Sequence, residues 1–566
     1  MKCSHVLLFS FLCNAVSSAE WDYIVVGGGA SGCVVGPELA RDGKKVLLLE
    51  AGGPTSWAFG GRTQKPFFKR FEERGDANFT VFDMPGENER IRHFKKYWWQ
   101  TTPWTRQGRG IGGSGMMNGA LTFIPSPQDF DEWPSSWNFT EMEPFYRSTF
   151  QRMSLTTKPS SDGKRYAQGA GKAFDRMTRK RMGMKKTALN DDPRNRINTI
   201  SYPEVSVRHG QRLDACMAYL LPALETGNIE LMMNSEVGRI LFKSKGVASG
   251  VVLKDSGEEI LLKKGGKLVI TAGTFLTARL LMLSGIGPRP EVRRLYRHGL
   301  IQAPRKYWIR NNALGVGIHD HLFTMLTFRA PDVKDFTFRY WTESYSKRCL
   351  AQYFRSRKNA YAQYGPIRLG FIARRGQTAP EVELLGLPSG EEGSGATDCG
   401  NCFRIMLMLL SPKARDNFHL KYSNSTCDCG GADCRPGDVC KPDLYLSNKK
   451  DKETIMWAVR KVVKAAKKEG YEVLRPSPVE MESKASLEEH LDTAWSSRLP
   501  AHHFAGTCRV GACTDGDLKV KGTDNIYVAD SSLFPAPVRA HNVGTVFAVA
   551  LKAAGHISGS AVSADA

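Results

Sequence analysis

A glycine-rich turn between an apolar strand and a helix is the feature that most constrains this chain. Residues 21–26 form a short apolar strand pattern, residues 27–32 read GGGASG, and residues 33–41 are compatible with a helix. Pro37 interrupts that pattern, but it lies close enough to the helix start to remove little hydrogen bonding. A second apolar strand follows at residues 45–49, so the segment forms a complete βαβ unit.

The spacing of the glycines in this turn is typical of a dinucleotide site. Gly29 lets the backbone approach a pyrophosphate, Gly32 lets the helix pack close to the strand, and the helix N-terminus favours negative charge. Glu50 ends the second strand, where a carboxylate can accept hydrogen bonds from a ribose diol; a solvated strand-end charge is the alternative. The turn supplies the candidate cofactor-binding residues Gly27, Gly29, Ala30, Ser31 and Gly32.

Length and composition indicate a globular protein with more than one packed region. The chain has 566 residues, of which 41% are hydrophobic and 24% charged, so it is not composed like a disordered protein. Residues 1–19 place Lys2 before an apolar run that ends in small residues, which predicts a secretory signal peptide cleaved near Ala19. That run is too short to cross a bilayer, and no later segment is apolar enough, so we expect a secreted protein without a membrane span.

Cysteine usage agrees with an oxidising compartment. Eleven cysteines follow residue 19, and six of them crowd between residues 399 and 440: Cys399, Cys402, Cys427, Cys429, Cys434 and Cys440. Zinc binding is the alternative because Cys399 and Cys402 have CxxC spacing, but secretion favours a disulfide-linked insertion, and no metal site is expected. Eleven is odd, so one thiol at least stays free or pairs between chains. Sequons at Asn78, Asn138 and Asn424 predict a glycoprotein.

The formal net charge of +22 could attract nucleic acid, an anionic surface or an acidic substrate. The basic residues are scattered, and their clusters at residues 179–186 and 461–468 lack interleaved aromatic side chains. We therefore expect a solvated basic surface and no nucleic-acid partner.

A second glycine-rich block, GRGIGGSGMMNG at residues 108–119, resembles the first signature of the glucose-methanol-choline (GMC) oxidoreductases. Further blocks resemble motifs of the same family, at residues 273–288, at Asp320-His321, at residues 503–508 and at residues 527–542. Thr122 and Ala278 depart from the usual residues of the first two motifs. By this resemblance, the loop residues that contact flavin and pyrophosphate are Arg109, Gly112, Gly113, Ser114 and Asn118.

The resemblance implies an α/β fold, with a Rossmann-type FAD-binding domain and an interleaved substrate-binding domain that contains an antiparallel sheet. The FAD-binding domain is expected at residues 20–135, 205–300 and 495–566, and the substrate domain at residues 136–204 and 301–494. Met117 stands where some family members carry a histidine bonded to the flavin, so FAD is expected to bind non-covalently.

The resemblance also implies the catalytic residues. His503 would be the base that removes the alcohol proton, with the adjacent His502 as its competitor. Because neighbouring residues of an extended chain point in opposite directions, only one of the two is expected to face the flavin. Asn542 lies three residues before Thr545, near which the last helix is expected to begin, and would hold the substrate oxygen; helix capping and exchange with His541 are the alternatives. Asp530 resembles the family's flavin-contacting acid, with Ser531 beside it.

These residues predict oxidation of a small-molecule alcohol to a carbonyl, with oxygen or a quinone as electron acceptor. Relatives of the family include hydroxynitrile lyases and fatty-acid photodecarboxylases, so non-redox or light-driven chemistry is one alternative. A secreted flavoprotein that has lost turnover is the other. The sequence leaves the alcohol open.

Overall fold

The structure is a computed structural model that describes residues 20–62, 78–88, 91, 94–102, 104–331, 333, 347–388, 401–422, 435–444, 448–496 and 501–560. The expected signal peptide, the sequon at Asn424 and the cysteines Cys399, Cys427, Cys429 and Cys434 lie outside these residues. Within them, the α-helices are Gly32–Ala40, Phe139–Arg152, Gln168–Arg176, Leu221–Leu224, Gly273–Leu283, Arg289–Arg297, Lys347–Ser356, Lys449–Lys468, Lys484–Ser496 and Asn542–Ser558.

The first sheet has seven strands among the described residues and grows around the predicted βαβ unit. Its parallel part consists of Ile229–Met232, Val46–Leu49, Glu20–Val26, the end of Glu259–Ile270, and Ile526–Val528. The start of Glu259–Ile270 pairs instead with Val247–Leu253, which pairs antiparallel with Val237–Ser244. Because Val26, Leu49, Ile270 and Val528 end their strands at one edge, the loops that follow them meet there.

The second sheet also has seven strands among the described residues, and all but one pair of neighbours run antiparallel. Its strands, in spatial order, are Glu472–Arg475, Leu322–Arg329, Cys402–Leu409, Val382–Leu387, Arg368–Ile372, Thr199–Ser201 and Lys185–Lys186. Met408 lies opposite both Phe323 and Glu383 in this register. The expected fold class, an α/β protein with an antiparallel second sheet, is confirmed.

The remaining strands of the described residues are short and form three small sheets of two or three strands each. They are Leu155–Thr156, Val205–Arg208, Gln211–Arg212, Ile286–Gly287, Ile309–Arg310, Val316–Ile318 and Asp416–Asn417. The helix Asn542–Ser558 packs against both Gly32–Ala40 and Phe139–Arg152, which places the C-terminal motif beside the N-terminal one. No helix of the described residues is both long and apolar enough to cross a membrane.

Two disulfides join cysteines for which the sequence predicted no partners. Cys33, on the first helix, is bonded to Cys216, and Cys508 is bonded to Cys513. Cys402 and Cys440, both in the cysteine-rich segment, are each disulfide-bonded, which agrees with a disulfide-linked insertion for these two residues.

Candidate active site

A cavity of about 820 Å³ extends from the carboxyl edge of the first sheet to the face of the second. The glycine turn and Glu50 line one part of it, and the histidines His502, His503 and His541 line another. The second sheet contributes an apolar wall of Phe323, Met325, Leu385, Leu387, Met406 and Met408. The cavity thus brings the N-terminal and C-terminal candidate residues to one place.

The first glycine turn presents an open backbone to this cavity. A Cβ added to Gly29 would meet only the Cα of Gly113, at 4.0 Å, so the backbone there is open to a ligand. A Cβ on Gly32 would stand 1.9 Å from the carbonyl oxygen of Gly27, which explains why only glycine fits the helix start. Gly27, Gly29, Ala30 and Ser31 line the cavity, whereas Gly32 packs behind it.

Glu50 is buried and organises the backbone around it. Its Oε2 accepts from the backbone N–H of Gly28 (2.9 Å), and its Oε1 accepts from Gly52 (2.7 Å) and Gly110 (3.0 Å). Burial raises the pKa of this carboxyl, while these three N–H groups oppose the rise. A carboxylate offers about four acceptor sites, so capacity remains on the cavity side for a further donor such as a ribose hydroxyl.

The second glycine loop lies against the first. The N–H of Gly112 donates to the carbonyl of Gly28 (2.7 Å), and Gly113 has a φ of +51° with its Cα facing Gly29. The cavity lining includes Gly113, Ser114, Met117 and Asn118. Gly112 does not belong to that lining, because its role is the contact between the two loops.

Two arginines lie beside this loop, one named by the sequence resemblance and one not. Arg109 is not part of the cavity lining; its guanidinium lies 5.4 Å from the centre of the Trp99 ring, and its charge opposes the rise that burial causes in the pKa of Glu50. Arg212, which no motif indicated, donates from Nη1 to the Gly115 carbonyl (2.9 Å) and to Oδ1 of Asn118 (3.0 Å). Arg212 therefore fixes the loop that carries Asn118.

Asp530 and Ser531 connect the C-terminal strand to the helix after Ile270. Oδ2 of Asp530 accepts from the N–H of Gly273 (2.8 Å) and the hydroxyl of Thr277 (2.6 Å). The hydroxyl of Ser531 lies 2.8 Å from that of Thr274. Both residues line the cavity, so this junction forms part of its wall.

His503 is held on three sides. Its backbone N–H donates to Oδ1 of Asp320 (2.8 Å), and its backbone carbonyl accepts from Nδ2 of Asn542 (2.6 Å). Its ring Nδ1 lies 2.8 Å from Nδ1 of His321. Burial lowers the pKa of His503 well below its ordinary value, and repulsion from His541, His321 and His502 lowers it further. The ring is therefore neutral at physiological pH, as a proton acceptor must be.

The neighbouring residues differ from the sequence expectations in two ways. His502 has a φ of +64°, so the chain is not extended here and both His502 and His503 line the cavity; Nδ1 of His502 lies 3.2 Å from the hydroxyl of Thr105. The last helix begins at Asn542, before the expected Thr545. His541 occupies the N-cap position without a side-chain cap, and the amide of Asn542 holds His503 rather than capping the helix.

His541 packs against the ring of His503 and contacts a buried carboxylate. The ring centroid of His541 lies 4.7 Å from that of His503, and Nε2 of His541 lies 3.3 Å from Oε2 of the fully buried Glu383. Glu383 belongs to no recognisable motif, so only the register of the second sheet reveals it.

The lining of the cavity fits a bound dinucleotide. Gly29 leaves room for a pyrophosphate, and Glu50 retains acceptor capacity. Oε1 of Gln107 is buried and has no hydrogen-bond partner among the described residues, although Gln107 lines the cavity. A ligand donor would satisfy this oxygen, since buried polar atoms are almost always paired.

Comparison with known proteins agrees with this geometry. GMC oxidoreductase family models match residues 21–323 and 433–550. Ecdysone oxidase of Spodoptera littoralis is 24% identical over 96% of this chain and 92% of its own, and oxygen-dependent choline dehydrogenase of Rhizobium etli is 25% identical over 95% of both. The crystal structure of pyridoxine 4-oxidase from Mesorbium loti has a TM-score of 0.70 at 19% identity, over 94% of this chain and 98% of its own. The chain therefore belongs to the GMC oxidoreductase family of FAD-dependent enzymes that act on CH–OH donors.

Proposed function

We propose that this enzyme oxidises an alcohol to a carbonyl, with His503 as the base that removes the hydroxyl proton. The observation that carries the proposal is the position of the His503 imidazole in the cavity wall, where burial holds its pKa well below the ordinary value and so favours the unprotonated form that a base needs. FAD, when bound, supplies the hydride acceptor. Met117 offers no covalent anchor at the position used by some family members, which supports non-covalent FAD.

The side chains around His503 are suited to holding an alcohol oxygen. The amide of Asn542 has two N–H groups, and one of them donates to the His503 carbonyl. The second is available to the substrate oxygen, where it would stabilise the charge that develops as the proton leaves. Glu383 fixes His541 on the opposite side, so the substrate oxygen would meet groups that are already oriented.

The apolar wall supports an alcohol with a substantial apolar body. All six of its side chains are methionine, leucine or phenylalanine, and they come from three neighbouring strands of the second sheet. Such a wall stabilises a ligand by removing apolar surface from water. Oxygen and a quinone are the two proposed electron acceptors, and one relative carries "oxygen-dependent" in its name.

Removing the imidazole of His503 tests this function. We expect His503→Ala to retain FAD but to lose reduction of that FAD by an alcohol by about 10²–10⁴-fold, the usual contribution of a general base. The measurement is anaerobic loss of flavin absorbance against a panel of alcohols, followed by reoxidation with oxygen or a quinone dye. His502→Ala tests the competing base and should lose clearly less flavin reduction than His503→Ala. Equal rates for His503→Ala and the parent would show that His503 is not the base.

We further propose that the enzyme is a secreted glycoprotein. Support comes from the apolar run in residues 1–19, from the disulfides, and from the exposed asparagines Asn78 and Asn138. Expression in a eukaryotic secretory host should release protein into the medium with an N-terminus near Glu20, measurable by mass spectrometry. Treatment with an N-glycosidase should lower its mass. Retention in the cell with residues 1–19 intact would contradict secretion.

A further inference from the structure

His321 lies opposite His503 because two distant segments pair there. An antiparallel bridge joins His319 to Ala505, with hydrogen bonds in both directions between their backbones. Continuing an antiparallel register by two residues on each side brings His321 and His503 together. Asp320 reinforces the pairing, because its Oδ1 accepts from the backbone N–H groups of both His321 and His503, each at 2.8 Å.

The surroundings of His321 determine where its proton lies. Its Nε2 is 3.1 Å from the carbonyl oxygen of Leu410 and 3.0 Å from that of Val538. Carbonyl oxygens only accept, so Nε2 must carry the hydrogen. A neutral imidazole has one N–H, and Nδ1 of His321 is then a bare acceptor.

That acceptor faces Nδ1 of His503 at 2.8 Å, so Nδ1 of His503 must be the donor. We propose that His321 is a positioning residue that holds His503 in the tautomer with hydrogen on Nδ1 and a bare Nε2. Nε2 of His503 makes no hydrogen bond with any described residue, and the half-buried ring lines the cavity. The nitrogen left bare is therefore the one a substrate hydroxyl can reach.

Both rings must be neutral for this arrangement, and the interior favours that state. Burial lowers the pKa of His321 to about 4, and repulsion from His541 contributes to the decrease. His503 is neutral for the same reason. A histidine in the other tautomer would present an N–H to the substrate hydroxyl and could not accept its proton. The proposal rests on the proposed role of His503 as base.

Two conservative substitutions at residue 321 separate positioning from simple packing. His321→Asn keeps a side-chain oxygen near the position of Nδ1 but loses the contacts with the Leu410 and Val538 carbonyls. His321→Gln places an amide N–H near the position of Nε2, which satisfies those carbonyls, but it removes the acceptor for His503. We expect His321→Gln to lower kcat/KM for the alcohol by about 10²-fold. His321→Asn should lower kcat/KM clearly less. A purely structural role predicts the reverse order, and that order would overturn the proposal.

The tautomer itself is measured in FAD-loaded protein labelled with ¹⁵N in its histidine rings. The signals of His503 are those that disappear in His503→Ala. In the parent, Nδ1 should be protonated and Nε2 should have the shift of an unprotonated ring nitrogen; in His321→Gln, protonation of Nε2 should appear. A protonated Nε2 in the neutral parent would overturn the inference. Because this readout does not depend on turnover, failure of His503→Ala to reduce activity would reject the proposed function and leave the tautomer assignment standing.

Discussion

At the scale of single residues, the environment of His503 sets its protonation state. Burial and three neighbouring imidazoles hold the pKa of His503 well below its ordinary value near 6.5. The base is active in its neutral form, and a lowered pKa keeps it neutral to lower pH. We therefore expect kcat/KM to remain constant through neutral pH and to fall only below about pH 6.5.

The measurement is kcat/KM against pH, because this parameter reports ionisations of the free enzyme and free substrate. A non-ionising alcohol should be used, so that the acid limb belongs to the protein. The control is FAD content across the same range, since loss of cofactor would imitate a titration. An acid limb centred above neutral pH would show that the base carries a proton where we expect a bare nitrogen.

At the scale of secondary-structure elements, the sequence predicted what depends on local signals. The strand, glycine turn, helix and strand of residues 20–49 appear within one residue of their expected limits, because apolar periodicity and glycine spacing act over a few residues. Pro37 is accommodated inside the helix, as expected. The last helix starts at Asn542, three residues earlier than predicted, and its N-cap residue His541 makes no side-chain cap. A helix start without a capping side chain leaves little local signal in the sequence.

Contacts between distant elements account for what the sequence could not supply. His321 and His503 are 182 residues apart and meet only through the bridge between His319 and Ala505. Glu383 reaches His541 because of its register in the second sheet, and Arg212 reaches Asn118 from a two-residue strand. A family motif could indicate Asp320-His321, but its chemical role requires the positions of the Leu410 and Val538 carbonyls. Non-local pairing therefore completes the site.

At the scale of the whole molecule, the disulfide between Cys33 and Cys216 connects the first βαβ unit to a segment 183 residues later. Cys33 lies on the helix that starts at Gly32, so the bond joins the dinucleotide turn to the segment that precedes strand Ile229–Met232. In the chain-entropy description, closing a loop of this length restricts the unfolded chain by about 5 kcal/mol, against about 2 kcal/mol for a loop of five residues. The bond between Cys508 and Cys513 closes such a short loop.

These two bonds form a matched pair, because all four cysteines are buried. We expect the double substitution Cys33→Ala with Cys216→Ala to lower the Tm by several degrees, and Cys508→Ala with Cys513→Ala to lower it clearly less. Thermal unfolding should be followed by circular dichroism with FAD in equal excess for every variant, since bound ligand itself raises the Tm. An equal decrease for both pairs would mean that lost packing, rather than the freedom of the unfolded chain, determines the effect. A larger decrease for the short-loop pair would contradict the prediction and show that the segment around residues 503–513 depends on its own bond more than the first βαβ unit depends on the bond of Cys33.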